Sequence, residues 1–328
     1  MNETPAGGRP GGAPGAPPGA PPGPMVWIVI PAWNGCRDTV ECLASLRRLT
    51  WPRQHVLVVD NGSADGTADV LAARFPAVEV LRLERNLGFT GGCNLGLRYA
   101  FGGGADYVLL LNNDTVVHPD VVGELLSGAS AWPRQGLFSP LILYHADPDV
   151  VWYGGGQVDL TSGLTAHAFD GSSRPPLGPF RTQWANGCAC LISRRAYETL
   201  GGLDPAYFAS YEDVDLSLRA RRSGMDAVVV PAARVWHKVS VSWRGQGQFY
   251  FYTVRNRLYF VRKFSGPGAA LWWSLRLGAG ALAYAAGAGL RRRSAEAKMY
   301  LFTLGGVLAF LSGSRGRAPE WVYRWGRI

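Results

Sequence analysis

The residues with the most evident chemical potential are Glu212, Asp213 and Asp215, three carboxylates within four positions behind the aromatic pair at 207–208. Acidic residues at the start of a helix complement its dipole, which explains Asp215 but not so dense a group. A carboxylate held in a pocket can act as a general base that takes a proton from a hydroxyl group. We predict that Asp213 is this base and that Glu212 lies beside it, in contact with the reacting molecules.

A second group follows residues 109–111, an apolar stretch that predicts a buried strand, and consists of Asn112, Asn113 and Asp114. Hard divalent cations prefer oxygen ligands and often bind protein carboxylates together with substrate phosphates. We predict that Asp114 binds Mg²⁺ or Mn²⁺, although an Asx turn before a helix is the plainer interpretation. Since one carboxylate would hold a metal weakly, His237, which follows a late predicted strand, is predicted as a further ligand.

A third group combines Asp60, which ends another predicted strand, with the Gly-rich turn 61–67. A carboxylate at a strand end can accept hydrogen bonds from a base or a ribose hydroxyl. We therefore predict nucleotide contact for Asp60. Asp65, in the same turn, is interpreted as the cap of the next helix.

The fourth group, residues 85–94, is rich in glycine and opens a helix after a strand. Backbone N–H groups at a helix start, together with a nearby arginine, suit a diphosphate. The glycine spacing differs from that of the dinucleotide fingerprint. The predicted phosphate and nucleotide contacts in this group are Arg85, Asn86, Gly88, Gly92 and Asn94.

Alternating strands and helices must position these groups. Buried strands are predicted at 26–30, 55–59, 78–83 and 107–111, and helices at 38–49, 67–75 and 94–101. This alternation predicts an α/β fold with a mostly parallel sheet and crossover helices. Ligands in such sheets bind beyond the carboxyl ends of the strands. Because Asn34, Asp60 and residues 112–114 follow three of those ends, we expect a ligand site there.

Composition divides the chain into a Gly/Pro-rich leader at 1–24, an α/β domain at 25–264 and a basic, apolar helical tail at 265–328. The leader cannot bury a core and is predicted to be disordered. Further elements of the α/β domain are predicted as short strands within 131–184, helices at 194–200 and 214–223, and a strand at 227–230.

The tail contains two apolar stretches, 271–290 and 299–311, the first interrupted by Arg276 and the two separated by the basic run 291–293. Each uncharged run is shorter than the ~20 residues that a spanning helix needs. We predict two helices that pack together or lie in a membrane interface, in preference to a transmembrane hairpin. An ordinary helical subdomain with a basic face is the alternative.

Charge is unevenly distributed along the chain. Residues 231–328 carry 16 Lys and Arg against 2 Asp and Glu, a net charge of +14, which leaves −5 for the rest of a chain whose total is +9. The basic segment predicts an anionic partner, and its Trp, Leu and Ala content favours a membrane surface over nucleic acid. The five cysteines form no CxxC pair, and no signal peptide is evident. We predict reduced thiols in a cytoplasmic protein that is peripheral on the membrane, and the tail leaves a homo-oligomer open.

Taken together, the motifs resemble family-2 glycosyltransferases of the GT-A fold, most nearly the bacterial rhamnosyltransferase-like members. The resemblance covers about 26–262. It rests on Pro31-Ala32-Trp33-Asn34, the Asp60 turn, residues 86–94, residues 112–114, Asn186-Gly187, Gly201-Gly202-Leu203-Asp204 and residues 212–215.

The resemblance implies a Rossmann-like domain that transfers one sugar, with inversion, from a nucleotide-sugar to a hydroxyl of a glycan or lipid-linked acceptor in cell-envelope polysaccharide synthesis. It implies a dTDP-rhamnose donor, with UDP-sugars left open. Pro31, Asn34, Asn112 and Asn113 would contact the nucleotide-sugar together with Asp60. The residues implied on the acceptor or sugar side are Trp184, Gly187 and Glu212.

Two departures from the family pattern bear on these roles. Asn112 stands where the usual metal motif has an acid, which predicts weaker metal binding, and Trp33 replaces a commoner Tyr or Phe. The QxxRW motif of processive synthases is missing, so we expect one sugar per event. Alternatives are a non-catalytic nucleotide-sugar-binding or scaffold protein, a nucleotidyltransferase, which would need a basic Gly-rich loop after the first strand, and a nucleic-acid-binding protein.

Overall fold

The computed structural model describes residues 23–171, 175–239, 247–290 and 294–325, so nearly all of the predicted leader lies outside the described residues. Within them, a large sheet is covered by helices, and a small hairpin lies beside it. The strands are β1 (Val26–Ala32), β2 (Gln54–Asp60), β3 (Glu79–Arg82), β4 (Tyr107–Leu111), β5 (Thr115–Val117), β6 (Leu137–Tyr144), β7 (Val151–Tyr153), β8 (Gly156–Val158), β9 (Thr165–His167), β10 (Phe180–Thr182), β11 (Ala189–Ser193) and β12 (Ala227–His237). The helices are α1 (Cys36–Leu46), α2 (Thr67–Arg74), α3 (Gly88–Gly102), α4 (Val121–Ala131), α5 (Arg194–Leu200), α6 (Glu212–Arg222), α7 (Gly247–Ser265), α8 (Pro267–Leu290), α9 (Ser294–Leu311) and α10 (Glu320–Arg324).

The first half of the sheet is parallel, with β1 between β2 and β4 and with β3 outside β2. The side chains of β1 alternate between two core clusters, with Ile28 and Ile30 in one and Trp27 and Val29 in the other. Helices α1, α2 and α4 contribute to the first cluster, and α3 and α5 to the second. Burial on both faces explains why β1 is apolar at every position rather than at alternate ones.

Beyond β4 the sheet is mixed, because β11 runs antiparallel to both β4 and β6 while β12 runs parallel to β6. The prediction of an α/β fold with a Rossmann-like, mostly parallel sheet is confirmed. The direction of β11 was not predicted. A short apolar run shows that a strand is buried, but it does not show which way the strand runs.

Two predicted boundaries near the candidate site were wrong. Helix α3 begins at Gly88, well before the predicted start at 94. The glycines of this segment therefore lie within the helix. A Cβ atom at Gly96 would stand 2.3 Å from Cγ1 of Val29, so this glycine permits close packing of α3 on the sheet. Strand β12 was predicted to end at 230 but extends to His237, and its register with β6 shifts on the way.

The C-terminal part of the described chain is helical. Helix α7, which was not predicted, packs against both α8 and α9, and these two helices also lie against each other. The apolar stretches predicted at 271–290 and 299–311 fall within α8 and α9. Among the described helices, none combines the length and the apolar character that crossing a membrane requires.

Candidate active site

A pocket of about 650 Å³ opens beyond the carboxyl ends of β1 and β4. The position agrees with the general placement of ligands in open α/β sheets. Many of the predicted site residues line it. They are Pro31, Asn86, Gly88, Asn112, Asn113, Asp114, Trp184, Gly187, Glu212, Asp213 and His237.

Asp114 and His237 meet in this pocket although they are far apart in the chain. The Oδ1 atom of Asp114 lies 3.2 Å from Nε2 of His237, and each residue is 8% exposed. Antiparallel pairing of β5 with β12 places His237 opposite Thr115, and the backbone N–H of Lys238 donates to the carbonyl oxygen of Asp114. The pair is therefore positioned by backbone hydrogen bonds on both sides.

The geometry of this pair fits a divalent metal. Two neighbouring ligands of an octahedral metal with bonds near 2.1 Å are about 3 Å apart. The amide Oδ1 of Asn112, a residue that lines the same pocket, is buried without a hydrogen-bond partner among the described residues, and so is Nδ1 of His237. The described residues hold no cluster of three or more His, Cys, Asp or Glu at metal-binding distances. The remaining ligands of a metal at Asp114 and His237 would therefore be amide, phosphate and water oxygens.

Lys238, next to His237, points away from the pocket. Its Nζ donates to Oδ1 of Asp38 at 2.6 Å and to Oε2 of Glu41 at 2.7 Å. Both acids belong to α1, so the lysine ties the end of β12 to that helix. Its charge is neutralised by this contact.

Glu212 and Asp213 lie in the first turn of α6. Asp213 accepts two backbone hydrogen bonds, from the N–H of Gly187 to Oδ2 and from that of Val214 to Oδ1, each at 2.8 Å. Glu212 is buried, and its Oε2 has no hydrogen-bond partner among the described residues. The two neighbours thus differ in how well a negative charge is supported.

Burial raises the pKa of both carboxyl groups. The pKa of Glu212 rises to about 8, first because of burial and then because of the negative charge of Asp213. Burial also raises the pKa of Asp213, but the N–H groups of Gly187 and Val214 oppose that rise. We infer that at neutral pH the proton shared by the pair resides on Glu212 and that Asp213 is ionised.

This arrangement predicts how stability depends on pH. The folded-state pKa of Glu212 lies above its unfolded value of 4.5, so its contribution to stability is greatest below about pH 4.5 and is lost as pH rises towards 8. A Glu212→Gln variant keeps a neutral side chain and should lose less stability over this range. Each pKa unit corresponds to about 1.4 kcal/mol. We therefore expect the difference in free energy of unfolding, Glu212→Gln minus wild type, to increase by about 2–4 kcal/mol from pH 5 to pH 8.

Denaturant unfolding at pH 5, 6.5 and 8 would measure this difference. Glu84→Gln, which changes an exposed glutamate, is the matched control. Parallel pH dependences for the wild type and Glu212→Gln would contradict the assignment of a raised pKa to Glu212.

The start of α3 is shaped by Asn61, which was not predicted as a site residue. Its Nδ2 donates to the carbonyl oxygen of Gly88 at 2.9 Å and to Oδ1 of Asn86 at 3.2 Å, while its Oδ1 accepts from the N–H of Leu87 at 2.9 Å. Gly88 has φ of 80°, and a Cβ there would stand 2.5 Å from the carbonyl oxygen of Phe208. A glycine is therefore required where the backbone approaches the pocket.

Asn34 and Asp60 hold the loops behind the pocket and are not among the described residues that line it. Asp60 Oδ1 accepts from the N–H of Ser63 at 3.0 Å. Asn34 Oδ1 accepts from the N–H of Ala64 at 2.8 Å, and its own N–H donates to Oγ of Ser63. Asn34 thus joins the loops after β1 and β2, while Asp60 holds the turn that follows its own strand.

The described residues that line the pocket do not include Arg85, Gly92 or Asn94 either. Asn94 exchanges two hydrogen bonds with the backbone of Leu203, at 2.8 and 2.9 Å. Arg85 is exposed, and its backbone lies against Gly62. In this structure Asn94 links α3 to the loop before α6.

An aromatic wall completes the pocket on the side of β7 and β9. The ring centre of the predicted Trp184 lies 5.6 Å from that of His167, and Trp152 lies 4.8 Å from the same histidine. His167 Nδ1 lies 2.8 Å from the carbonyl oxygen of Trp152, and a carbonyl oxygen can only accept, so Nδ1 carries the hydrogen. Neither Trp152 nor His167 was predicted, because no sequence motif surrounds them.

The C-terminal helices contribute the remaining wall, which was not predicted either. The lining residues from this part are Gln248, Phe249, Tyr252 and Thr253 of α7 and Tyr323 of α10. Among the described residues that line the pocket there is no Lys or Arg. The positive charge that an anionic ligand would need is therefore not supplied by these side chains.

Comparison with known proteins identifies the family. Residues 27–201, more than half of the chain, match the model of glycosyl transferase family 2, and residues 179–249 match that of glycosyltransferase like family 2. The chain belongs to glycosyl transferase family 2. The predicted family and the predicted enzyme class, a glycosyltransferase, are confirmed.

Individual relatives agree with this assignment. The chain is 33% identical over 223 residues to the N-acetylglucosaminyl-diphospho-decaprenol L-rhamnosyltransferase of Mycobacterium tuberculosis, covering 60% of this chain and 70% of that protein. It is 23% identical over 191 residues to the dTDP-rhamnosyl transferase RfbF of Shigella flexneri, covering 56% and 60%. The mannosyltransferase PcManGT of Pyrobaculum calidifontis, solved with GDP-Man and Mn²⁺, superposes with a TM-score of 0.53 at 16% identity over 89% of this chain and 88% of that one. The last comparison supports the GT-A fold.

Proposed function

We propose that this glycosyltransferase is inverting and non-processive and that it moves one sugar from a nucleotide-sugar onto a hydroxyl of a lipid-linked glycan. The observation that carries the proposal is that one pocket holds both a supported carboxylate, Asp213, and the pair of Asp114 and His237. A single displacement needs these two things, a base for the nucleophile and stabilisation of the leaving group.

Asp213 is the proposed general base. As the acceptor oxygen forms its bond to the anomeric carbon, the bond from that carbon to the diphosphate breaks and Asp213 takes the hydroxyl proton. One displacement inverts the anomeric configuration. Glu212, which holds its proton at neutral pH, can donate a hydrogen bond to an oxygen of the sugar or the acceptor without competing as a base.

Asp114 and His237 are the proposed metal ligands, with the amide oxygen of Asn112 available as a further one. A bound Mg²⁺ or Mn²⁺ supplies the positive charge that stabilises the diphosphate leaving group. This charge matters here because no described Lys or Arg lines the pocket. The N–H of Gly88 already donates to Oδ1 of Asn86, so the additional backbone donor proposed for the phosphates is the N–H of Phe89, which lines the pocket in the first turn of α3.

The proposed nucleotide site lies between the ends of β1 and β4 and the start of α3, beside Pro31, Asn86 and Asn113. We propose that Asn34 acts on it by joining the loops after β1 and β2, and Asp60 by holding the turn after β2. Arg85, Gly92 and Asn94 would act likewise through the segment around α3. We propose dTDP-rhamnose as the donor, supported by the Shigella relative that is named a dTDP-rhamnosyl transferase.

The proposed acceptor site lies between Trp184, Gly187 and the aromatic side chains of the C-terminal helices. Gly187 is the donor to Asp213, so an acceptor beside it would lie next to the base. Phe249, Tyr252 and Tyr323 would contact the less polar part of the acceptor. The mycobacterial relative, named for a decaprenol-linked acceptor, favours a lipid-linked glycan for this chain.

A peripheral membrane position would suit such an acceptor, and the outer face of α8 favours it. One stripe of exposed residues on this helix, Leu271, Leu275, Ala279, Leu282 and Ala286, is apolar and recurs with helical spacing, and the exposed Arg276 lies beside it. An exposed apolar stripe is unusual on a helix in water. This stripe also lies within residues 231–328, which carry a net charge of +14. We propose that α8 and α9 lie on an anionic lipid surface, within the C-terminal unit predicted at 265–328.

Vesicle sedimentation would test this position. We expect the wild type to bind phosphatidylglycerol vesicles better than phosphatidylcholine vesicles, and Leu275→Glu with Leu282→Glu to weaken binding about 10-fold or more, since each change loses buried apolar area. Leu177→Glu, at a leucine that is 99% exposed elsewhere, is the matched control. Equal binding by all variants would contradict the proposal, and a dimer broken by the same changes would assign the face to a second copy.

The proposed reaction can be tested with purified protein and a panel of dTDP-, UDP- and GDP-sugars, with Mn²⁺, Mg²⁺ or EDTA. Release of the nucleoside diphosphate from one donor, accelerated by a polyprenyl-diphosphate-linked sugar, is the expected result. Product anomers identified by NMR would show inversion or retention. Retention, or the addition of several sugars to one acceptor, would overturn the proposed mechanism.

A further inference from the structure

Helix α6 begins from an uncommon turn. Ser210 and Tyr211 are consecutive residues with φ of 72° and 74°, in the left-handed region that side chains disfavour. Glu212 and Asp213 follow directly. Since such a conformation persists where its surroundings enforce it, the turn should be held by specific contacts.

Asn256 of α7 makes such contacts. Its Nδ2 donates to the carbonyl oxygen of Ala209 at 2.7 Å and to that of Ser210 at 2.9 Å. The side chain is fully buried and is not among the described residues that line the pocket. One amide group thus holds two successive carbonyls at the point where the chain turns into α6.

Arg255 sets the orientation of this amide. Its Nε and Nη2 donate to Oδ1 of Asn256 at 3.1 and 3.0 Å. A guanidinium group can only donate and the two carbonyls can only accept, so a flipped amide would lose its hydrogen bonds on both sides. Arg255 is itself fully buried, and its Nη1 donates to the carbonyl oxygen of Gly316 at 2.7 Å.

We propose that Asn256, oriented by Arg255, is a positioning residue that holds the 209–211 turn and thereby aims Asp213 at the acceptor hydroxyl. The inference rests on the proposed function, in which Asp213 is the base. It assigns Asn256 a part in catalysis through the backbone of the turn, without contact to the substrate. A misplacement of the base by about 1 Å can cost about 100-fold in rate.

The test compares Asn256→Ala and Asn256→Asp with Tyr259→Phe. Tyr259, one turn along α7, donates from its hydroxyl to the carbonyl oxygen of Ser314 at 2.8 Å. Its replacement removes a hydrogen bond from the same helix to the C-terminal segment that Arg255 also contacts, without touching the 209–211 turn. Asn256→Asp retains a partner for Arg255 and serves if Asn256→Ala does not fold.

We expect kcat to fall about 100-fold in the Asn256 variants with little change in the donor KM, and the acid limb of the pH–rate profile to move. Amide hydrogen exchange should accelerate at 209–213 but not in the parallel strands. Tyr259→Phe should keep its kcat. An unchanged kcat in the Asn256 variants, or a loss no larger than in Tyr259→Phe at equal stability, would overturn the inference.

Failure of the inference differs from failure of the proposed function. If Asp213→Asn retained full activity, the function proposed for Asp213 would be wrong whatever Asn256 does. Hydrogen exchange at 209–213 would still report whether Asn256 holds the turn. If Asp213→Asn is inactive and the Asn256 variants are fully active, the positioning role alone is wrong.

Discussion

Replacing Asp213 with asparagine should reduce the rate of sugar transfer about 10²–10⁴-fold, the usual contribution of a general base. The amide cannot take the acceptor proton. Its oxygen can still accept from the backbone N–H of Gly187 or Val214, so the fold around it should persist. Donor binding, followed by calorimetry with the nucleoside diphosphate, should change little because that step requires no proton removal.

Asp226→Asn is the control for this variant. Asp226 is an acid near the surface that interacts with Arg181 at 3.4 Å and Arg221 at 3.8 Å. It should retain wild-type transfer. Wild-type rates of transfer in Asp213→Asn at neutral pH would contradict the role of Asp213, whereas recovery confined to high pH, where hydroxide can take the acceptor proton, would agree with it.

The second large effect is expected from the metal site. Asp114→Ala should abolish Mn²⁺ binding measured by electron paramagnetic resonance and reduce transfer at least about 100-fold, because charge stabilisation of the leaving group is a major contribution to catalysis. His237→Ala should weaken Mn²⁺ binding about 10-fold or more, in the range seen when one group supporting a metal is lost. The spectroscopic measurement needs no turnover, so it reports on the site directly.

His118→Ala is the matched histidine control, because His118 is half-exposed and is not among the residues that line the pocket. It should bind Mn²⁺ as the wild type does. Transfer that survives EDTA in the wild type would contradict the metal role of Asp114 and His237 while leaving the transferase itself intact.

Local sequence determined the buried strands and the edge of the sheet at which the site residues stand. Apolar runs such as 26–30 and 107–111 are buried on both faces, and that requirement alone predicts strands. Because parallel strands end at the same edge of a sheet, residues 112–114 and Asp60 could be assigned to one edge before the structure was known. The carboxylates of 212–215 were marked by their density.

Tertiary structure decided which of these residues face the pocket. Asp60 and Asn34 stand at strand ends as predicted, yet Asp60 accepts from an N–H in its own turn and Asn34 from an N–H in the loop after β2. Asn94 bonds to Leu203, 109 positions away. Residue type and spacing indicate what a side chain can bind. The partner that the side chain actually binds depends on which loop packs against it.

The long-range contacts of the site could likewise not be predicted from local sequence. His237 reaches Asp114 because β12 continues past an irregular register and pairs with β5. The aromatic wall from β7 and β9 and the contribution of α7 arise from packing between distant segments, for which no local periodicity exists. Sequence by itself therefore determined the fold class, the family and the chemical groups. The tertiary structure decided their partners, since hydrogen bonds between remote segments form only when the whole core brings those segments together.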